Sequence, residues 1–289
     1  MLAKGLTMTI VFEAESANYG ERIGNVAALK KLSRGNGSQY TYISRQAIRY
    51  NMVEQFGEDK AETKATGKGK TVVQFSPETK ISDYPELDFF GYLKTEDEKM
   101  AKKRSAIVRL SNAVSTETFK GDLDFLTNME LAIRANEKPS IAQFEIHKSY
   151  YVYTVAMDLD QIGIDNNDGI ELPKEEKARR VEKLLDTIAF LYRDIRGRRE
   201  NLAPLFVIGG VYDIKNPIFE NLVKVKENKI LVQDIDSGIF ENMRKDTSCG
   251  VVEGKFDNTQ EIKDVLNSTT IPKFFEQLKA KVREYYEIN

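Results

Sequence analysis

The stretch that decides the fold is Tyr40–Met52, YTYISRQAIRYNM, where a strand leads directly into a helix. The strand is predicted over Gln39–Ile43 and the helix from there to about Phe56. Ser44 stands at the junction and is a preferred N-cap residue, because its hydroxyl accepts a hydrogen bond from a free amide of the first helical turn.

Two arginines, Arg45 and Arg49, follow the junction four residues apart and therefore share one face of the helix. A cation near a helix N-terminus is disfavoured by roughly 0.3–1 kcal/mol. The pattern is explained if an anion lies between the free amides and the guanidinium groups, and phosphate fits best because arginine binds it with two hydrogen bonds. Two solvated surface arginines are the alternative interpretation.

A basic loop, Lys30–Ser38 (KKLSRGNGS), lies just upstream and favours the phosphate interpretation. Its glycines Gly35 and Gly37 allow a close approach of the backbone to a ligand. The central hypothesis is therefore that Lys30–Arg49 grips the phosphate backbone of a nucleic acid.

The composition limits this hypothesis without excluding it. The 289 residues carry a net charge of −2, with 41% hydrophobic and 30% charged residues, which is typical of a soluble globular protein. Phosphate binding depends on local charge and not on the total. No apolar run reaches the roughly 20 residues that span a bilayer, and the first residues are interpreted as a strand and not as a signal peptide. The single cysteine, Cys249, is consistent with the reducing cytoplasm.

The order of elements predicts an α+β fold. Alternation over Leu6–Phe12 indicates a half-buried strand, and helical spacing runs from Pro173 to Gly197 and from Pro272 to Tyr286. Further strands are predicted at Lys103–Ser115, Gln143–Tyr150, Tyr151–Leu159, Pro204–Tyr212 and Ile230–Gln233, the second and third as a hairpin, whereas Gly238–Phe256 is predicted to be irregular.

This outline indicates a split βαβ pattern of the ferredoxin or RRM type, formed by one elaborated domain over residues 1–289. A large insertion occupies residues 57–142. The RRM aromatic signature is absent, so the predicted binding mode is a grip on the backbone and not stacking of bases. One face of the strand Lys103–Ser115 is polar and basic, which fits either an exposed sheet face or a surface that contacts RNA.

Other motifs in the sequence suggest catalysis or metal binding. GKGKT at 67–71 resembles a phosphate-binding loop but has Lys64 where the first glycine is required, and a strand-like segment follows it, so nucleotide hydrolysis is rejected. A dyad of Cys249 and His147 stays open, although a lone histidine in a strand is more often structural. The acidic residues Asp122, Asp124, Asp158 and Asp160 form no spacing that fixes a metal. The sequence therefore predicts no enzyme, no metal and no cofactor.

Four blocks of sequence resemble one family in the same order. The first is Phe12–Met52, FEAESANYGERIGNVAALKKLSRGNGSQYTYISRQAIRYNM, followed by LDFFGYL at 87–93, KKRSAIVRLSNAVS at 102–115 and FVIGGVYDI at 206–214. They resemble the DevR-like backbone subunits of type I-B CRISPR Cascade surveillance complexes.

The resemblance implies an RRM-like palm with an inserted finger region and a thumb-like hairpin. It implies that copies of the chain line up helically along a guide crRNA and present its bases to target DNA in antiviral defence. Further implied partners are a large subunit, a cap subunit on the 5′ handle and a processing endonuclease, with no membrane involved. Related subunits of type III complexes cut RNA with a loop aspartate, which cannot be placed here.

The resemblance also carries over individual residues. The serine, arginine, glutamine and second arginine of ISRQAIRY correspond to Ser44, Arg45, Gln46 and Arg49, which would contact guide phosphates. The basic loop adds Lys30, Lys31 and Arg34, and the basic strand adds Lys102, Lys103, Arg104 and Arg109. The thumb is expected within Tyr212–Lys229 or Gly238–Phe256. A metal-dependent ribonuclease on the same fold and a transcription regulator that binds duplex DNA remain the alternative functions.

Overall fold

The computed structural model describes residues 4–23, 26–66, 72–95 and 101–288. In chain order, the strands are β1 (Gly5–Ala14), β2 (Tyr19–Ile23), β3 (Val26–Leu29), β4 (Lys31–Ser33), β5 (Gln39–Ile43), β6 (Thr63–Thr66), β7 (Val72–Phe75), β8 (Tyr92–Lys94), β9 (Lys102–Arg104), β10 (Val108–Leu110), β11 (Ala113–Ser115), β12 (Asp122–Thr127), β13 (Ile141–Ile146), β14 (Ser149–Asp158), β15 (Ile164–Asp165), β16 (Ile170–Glu171), β17 (Tyr192–Ile195), β18 (Arg198–Asn201), β19 (Phe206–Tyr212), β20 (Val225–Lys226), β21 (Lys229–Ile230) and β22 (Thr247–Val251).

The helices complete the mixed α/β architecture. They are α1 (Arg45–Phe56), α2 (Pro85–Phe90), α3 (Met129–Arg134), α4 (Lys174–Ala189), α5 (Val232–Ser237), α6 (Glu241–Arg244), α7 (Thr259–Leu266) and α8 (Ile271–Tyr286), with a 3₁₀ turn at Leu159–Gln161. Within the described ranges, none of these helices is both long and apolar enough to cross a bilayer.

The main sheet has the strand order β22-β19-β1-β14-β11-β5-β4, with β10 also paired to β14. Neighbouring strands run antiparallel along this order. Strand β1 lies near the middle, between β14 and β19, and its residues from Gly5 to Phe12 are buried. The prediction of a half-buried strand was therefore wrong, because both faces of the sheet are covered at this strand.

Three helices cover the first face of the main sheet. Side chains from α1, α4 and α8 share one apolar core with those of β1, β14 and β19. In α1 the stripe Ile48, Met52 and Phe56 is buried, which confirms the predicted apolar face. The helix ends at Gly57, whose φ of 70° suits a residue without a side chain.

The second face of the main sheet is only partly covered. The segment from Phe219 to Leu266, which contains α5, α6, β22 and α7, forms a second apolar core with β19. The segment predicted to be irregular thus contains the edge strand β22 and α6. Over β5, β11 and β14 the same face borders an open groove.

A second sheet, with the order β12-β13-β3-β2, lies outside the main sheet. We call Asp122–Ile146, which comprises β12, α3 and β13, the arm. Strand β13 pairs with β12 and with β3 and not with β14, so the predicted hairpin of these two strands was wrong. Large apolar side chains of the arm are exposed: Leu123, Phe125, Leu126, Met129, Leu131, Ile133 and Ile141.

The root of the arm is held by polar contacts. Glu145 accepts hydrogen bonds from the Leu29 amide at 2.7 Å and from Lys31 Nζ at 2.6 Å. Just beyond the arm, His147 Nδ1 lies 2.7 Å from the Thr41 hydroxyl, which lies 2.8 Å from the Tyr151 hydroxyl. Tyr151 in turn donates to the carbonyl of His147 at 3.1 Å. The direction of the arm is thus set by contacts with β3, β4 and β5.

Two other predicted elements differ from the structure. The strand predicted over Lys103–Ser115 is divided into β9, β10 and β11, because β9 pairs with β8 whereas β10 and β11 pair with β14. The helix predicted to reach Gly197 ends at Ala189 and is followed by the hairpin β17–β18. The hairpin turn uses Arg196 and Gly197, whose φ values of 52° and 74° are incompatible with a helix.

The segments predicted for the finger and the thumb are divided among the main sheet, the arm and the second apolar core. Within 57–142, β10 and β11 belong to the main sheet, while β6 to β9 lie before them and most of the arm after them. The strand predicted at Ile230–Gln233 ends at Ile230, and α5 begins at Val232. Both segments considered for a thumb contribute to the second apolar core, whereas the arm carries exposed apolar side chains.

Candidate nucleic-acid interface

A groove of about 520 Å³ lies on the open half of the second face of the main sheet. Its floor is formed by residues of β11, β14 and the connection before β11, including Asn112, Val114 and Thr154. One wall is the hairpin β4–β5, which contributes Arg34 and Tyr40. The other wall is the segment 220–231, which contains the small hairpin β20–β21. The lining mixes apolar and polar side chains, and its charged residues are Arg34, Lys224, Lys226 and Glu220.

The start of α1 adjoins this groove through Asn112. The Arg45 amide donates to Asn112 Oδ1 at 2.9 Å, and the Ser44 amide donates to Asn18 Oδ1 at 3.0 Å. Ser44 is the predicted N-cap, since its hydroxyl accepts from the Ala47 amide at 3.3 Å. The free amides expected to bind an anion are thus largely occupied by the protein itself.

The side chains at the start of α1 are nevertheless available. Arg45, Gln46 and Arg49 are exposed, and no acidic residue lies in the first turn. The Arg49 guanidinium lies 5.5 Å from the ring centre of Phe90, which supports the side chain without neutralising its charge.

Ion pairing separates these arginines from most others. Among arginines whose side chains the structure describes, those without a carboxylate at ion-pair distance are Arg34, Arg45, Arg49 and Arg196. Arg196 stacks on two aromatic rings, 3.7 Å from the centre of Phe144 and 4.2 Å from that of Tyr19. Of the other three, Arg34 lines the groove, whereas Arg45 and Arg49 lie in the first two turns of α1, which Asn112 connects to the groove.

The basic loop divides into residues with different environments. Arg34 lies 4.8 Å from the ring centre of Tyr40 on the wall of the groove. Lys31 is mostly buried, paired with Glu145 and 4.2 Å from the ring centre of Phe119. Lys30 is half-buried. Arg34 is therefore available to a ligand, whereas Lys31 already stabilises the root of the arm.

The residues of the predicted basic strand do not lie on one surface. Arg104 has 8% of its side chain exposed and pairs with Asp88 at 2.6 Å. Lys102 contacts Asp168 at 2.5 Å, and Arg109 contacts Asp158 at 2.8 Å while remaining about half exposed. Lys103 is exposed on β9. Asp88 holds the guanidinium of Arg104 in the interior. We therefore do not propose Arg104 as a contact of the nucleic acid.

Sequence reasoning missed several groove residues. Asn112 on the floor and Lys224 and Lys226 on the wall were not considered as ligand contacts. Lys226 is exposed, and Lys224 pairs with the partly exposed Asp234 at 3.1 Å. The alternating lysines of Lys224–Lys229 could have indicated the basic wall, whereas nothing in the sequence indicates the position of Asn112.

A comparison of the sequence with models of protein families identifies the family of this chain. The family model of the CRISPR-associated negative auto-regulator DevR/Csa2 matches residues 6–233. The chain belongs to the DevR/Csa2 family. The resemblance to the DevR-like family noted in the sequence is thereby confirmed.

Relatives of this DevR/Csa2 family member agree with the assignment. A CRISPR-associated protein Cas7/Cst2/DevR of Myxococcus xanthus (strain DK1622) is 28% identical over 158 residues, which are 48% of this chain and 52% of the relative. The match therefore spans about half the length of that curated relative.

Solved structures show the same fold at low sequence identity. A chain of a CRISPR RNA-guided surveillance complex in a pre-nicking state aligns with a TM-score of 0.63 at 12% identity, covering 96% of this chain and all of the other. A chain of a second CRISPR RNA-guided surveillance complex aligns with a TM-score of 0.59 at 15% identity, covering 96% and 99%. The DevR/Csa2 chain thus shares its mixed α/β fold with subunits of such complexes.

The candidates for catalysis in this DevR/Csa2 chain lie apart. Cys249 is buried in the second apolar core, where burial raises the pKa of its thiol, whereas His147 contacts Thr41 at the root of the arm. Asp158 pairs with Arg109 and Asp160 with Lys215. Across the described ranges, no group of three or more acidic, histidine or cysteine side chains could hold a metal ion. The GKGKT motif at 67–71 lies outside the described residues.

Proposed function

We propose that this chain is a non-enzymatic backbone subunit of a CRISPR surveillance complex, which binds guide RNA along the phosphate backbone without sequence preference. The observation that carries the proposal is the set of arginines without carboxylate partners: Arg34 lines the groove, the Arg45 amide is hydrogen-bonded to the groove residue Asn112, and Arg49 follows one turn later in α1. Arginines kept free of carboxylates bind phosphate well, because their planar guanidinium donates two hydrogen bonds to it.

The topology supports the same proposal. The order β19-β1-β14-β11, with α1 between β1 and β11 and α4 between β14 and β19, corresponds to a ferredoxin-type palm. Its open half would carry the RNA. The aromatic side chains lining the groove are Tyr40 and the buried Tyr153, which favours contacts with the backbone over reading of the sequence.

The first test is binding of single strands by the purified chain. We expect oligouridylate and a mixed-sequence RNA of equal length to bind with similar affinity, and more tightly than duplex DNA, in a fluorescence anisotropy titration. The logarithm of the binding constant should fall linearly with the logarithm of the salt concentration, by about 0.7 per phosphate contact. RNA of discrete length should copurify from cells that contain the guide.

The two alternative functions give different results. A preference for one duplex sequence would favour a transcription regulator. Cleavage of RNA with magnesium or manganese, abolished by replacing one aspartate, would favour a ribonuclease. Absence of RNA binding at low salt would overturn the proposal.

The arm supports assembly of several copies. Seven large apolar side chains are exposed along it, with Ile133 71% exposed, and such patches on soluble proteins usually mark protein contacts. We propose that the arm contacts a neighbouring copy of the chain. A contact between two different surfaces of identical copies produces an open helical filament when the rotation between copies does not close into a ring.

The variant Phe125→Asp/Ile133→Asp should lose this assembly. We expect its association on a 40-nucleotide RNA to weaken at least tenfold, because buried interface anchors each contribute more than about 1 kcal/mol. Analytical ultracentrifugation would measure the number of copies bound. The control Phe190→Asp/Phe240→Asp alters two side chains that are equally exposed outside the arm. Equal assembly of both variants would contradict the role of the arm.

A further inference from the structure

Asn112 lies where the groove meets the start of α1, and its orientation is fixed. Its Oδ1 accepts from the Arg45 amide at 2.9 Å. A backbone amide can only donate, so the oxygen of the side-chain amide must face it. The Nδ2 group then points to the other side with two hydrogens to donate. Asn112 is exposed and lines the groove, and within the described part of the chain Nδ2 donates to no residue.

A second asparagine makes an equivalent contact without reaching the groove. Asn18 Oδ1 accepts from the Ser44 amide at 3.0 Å, one residue before the Arg45 amide. Asn18 is only partly exposed and does not line the groove. The two asparagines therefore serve the same helix start, and they differ in whether the groove is within reach of their Nδ2 groups.

The contact changes how an anion could bind at this helix. An anion cannot use the Arg45 amide, because Asn112 Oδ1 already accepts from it, nor the Ala47 amide, because Ser44 does. Asn112 offers a substitute donor on the floor of the groove, next in space to Arg45. Arg34 and Lys226 border the same groove.

We propose that Asn112 Nδ2 donates to a backbone phosphate of the single strand in the groove and replaces the amide that it covers. This inference rests on the proposed function, since it names one more contact of the same RNA. Asn112 thereby couples the start of α1 to the ligand: its oxygen holds the helix and its nitrogen holds the phosphate.

The variant Asn112→Asp tests this division of labour. A carboxylate keeps the oxygen that accepts from the Arg45 amide but replaces the donor with a charge that repels phosphate. We expect at least a tenfold loss of affinity for a 12-nucleotide oligouridylate, as hydrogen bonds to charged groups are among the stronger ones. The melting temperature should be unchanged or slightly higher, because an anion near a helix N-terminus is favourable.

Asn18→Asp is the matched control, since it adds the same charge at the same helix start. We expect less than a threefold loss of affinity. Equal losses in the two variants would show that only the added charge matters, and unchanged affinity in Asn112→Asp would show no contact; either result overturns the inference while leaving the proposed function intact. Absence of binding by the unaltered chain overturns both.

A measurement on the unaltered chain covers the case in which Asn112→Asp is destabilised. With asparagine labelled selectively with nitrogen-15, the side-chain NH₂ resonances of Asn112 should shift when oligouridylate is added. Those of Asn18 should stay within the spread of asparagines far from the groove. Assignment can use the conservative variant Asn112→Ser. A shift at Asn18 alone, or at neither residue, would contradict the proposed contact.

Discussion

The variant Arg45→Glu/Arg49→Glu should lose about a hundredfold or more of its affinity for single-stranded RNA. Each arginine is expected to contribute a hydrogen bond to a charged phosphate, worth roughly 1.5–3 kcal/mol, and the glutamates add repulsion. The slope of the logarithm of the binding constant against the logarithm of the salt concentration should also become shallower by about 1.4, which corresponds to two lost phosphate contacts. Anisotropy titrations at several salt concentrations measure both quantities.

The same variant should fold at least as well as the unaltered chain. Both arginines are exposed without a carboxylate partner, and glutamate near a helix N-terminus is more favourable than arginine. The control Lys245→Glu/Lys273→Glu makes the same change of charge at exposed positions outside the groove. Lys273 also lies in the first turn of a helix, as the third residue of α8. If the control loses as much affinity, the effect comes from overall charge.

The second large effect concerns stability. Asp88 is fully buried between Arg104 and Arg180, at 2.6 Å and 3.2 Å, and accepts from the Gly163 amide at 2.9 Å. Replacing Asp88 with alanine leaves two largely buried guanidinium groups without this carboxylate. Breaking a buried ion pair in this way costs about 3–5 kcal/mol. We therefore expect Asp88→Ala to lower the midpoint of thermal unfolding by roughly 10 °C.

The fraction of Asp88→Ala that stays folded should bind RNA normally, because this cluster lies apart from the groove. Differential scanning calorimetry and an anisotropy titration below the transition test the two halves of the expectation. Asp83→Ala removes an exposed carboxylate from the same segment and should change the melting temperature little. If folded Asp88→Ala bound RNA more weakly than the unaltered chain, Arg104 would have to be considered a contact of the RNA.

The residues changed in these two variants differ in how well the sequence predicted their environment. The strand Gln39–Ile43, the cap at Ser44 and the helix to Phe56 were predicted correctly, because capping and strand alternation are local. The exposure of Arg45 and Arg49 also followed from their place on the helix. The burial of Arg104 could not be predicted, since it depends on Asp88, which also pairs with the distant Arg180.

The other wrong predictions have the same origin. Leu191 and Ile195 continue a helical spacing, yet the left-handed turn at Arg196 and Gly197 closes a hairpin. Nothing local indicates that β13 joins β3 in a second sheet and leaves β14 to the main sheet. Asn112 was missed for the same reason, because its role depends on a contact with Arg45, 67 residues away.

The hydroxyls of Thr41 and Tyr151 determine which tautomer His147 adopts. A carbonyl oxygen only accepts, so Tyr151 donates to it, Thr41 donates to Tyr151, and the proton on Nδ1 is donated to Thr41. Burial lowers the pKa of His147, so the ring is neutral near pH 7. A second proton would enter at Nε2, outside this chain of donors. Protonation of the ring therefore leaves intact the hydrogen bond from Nδ1 to Thr41 that anchors the arm.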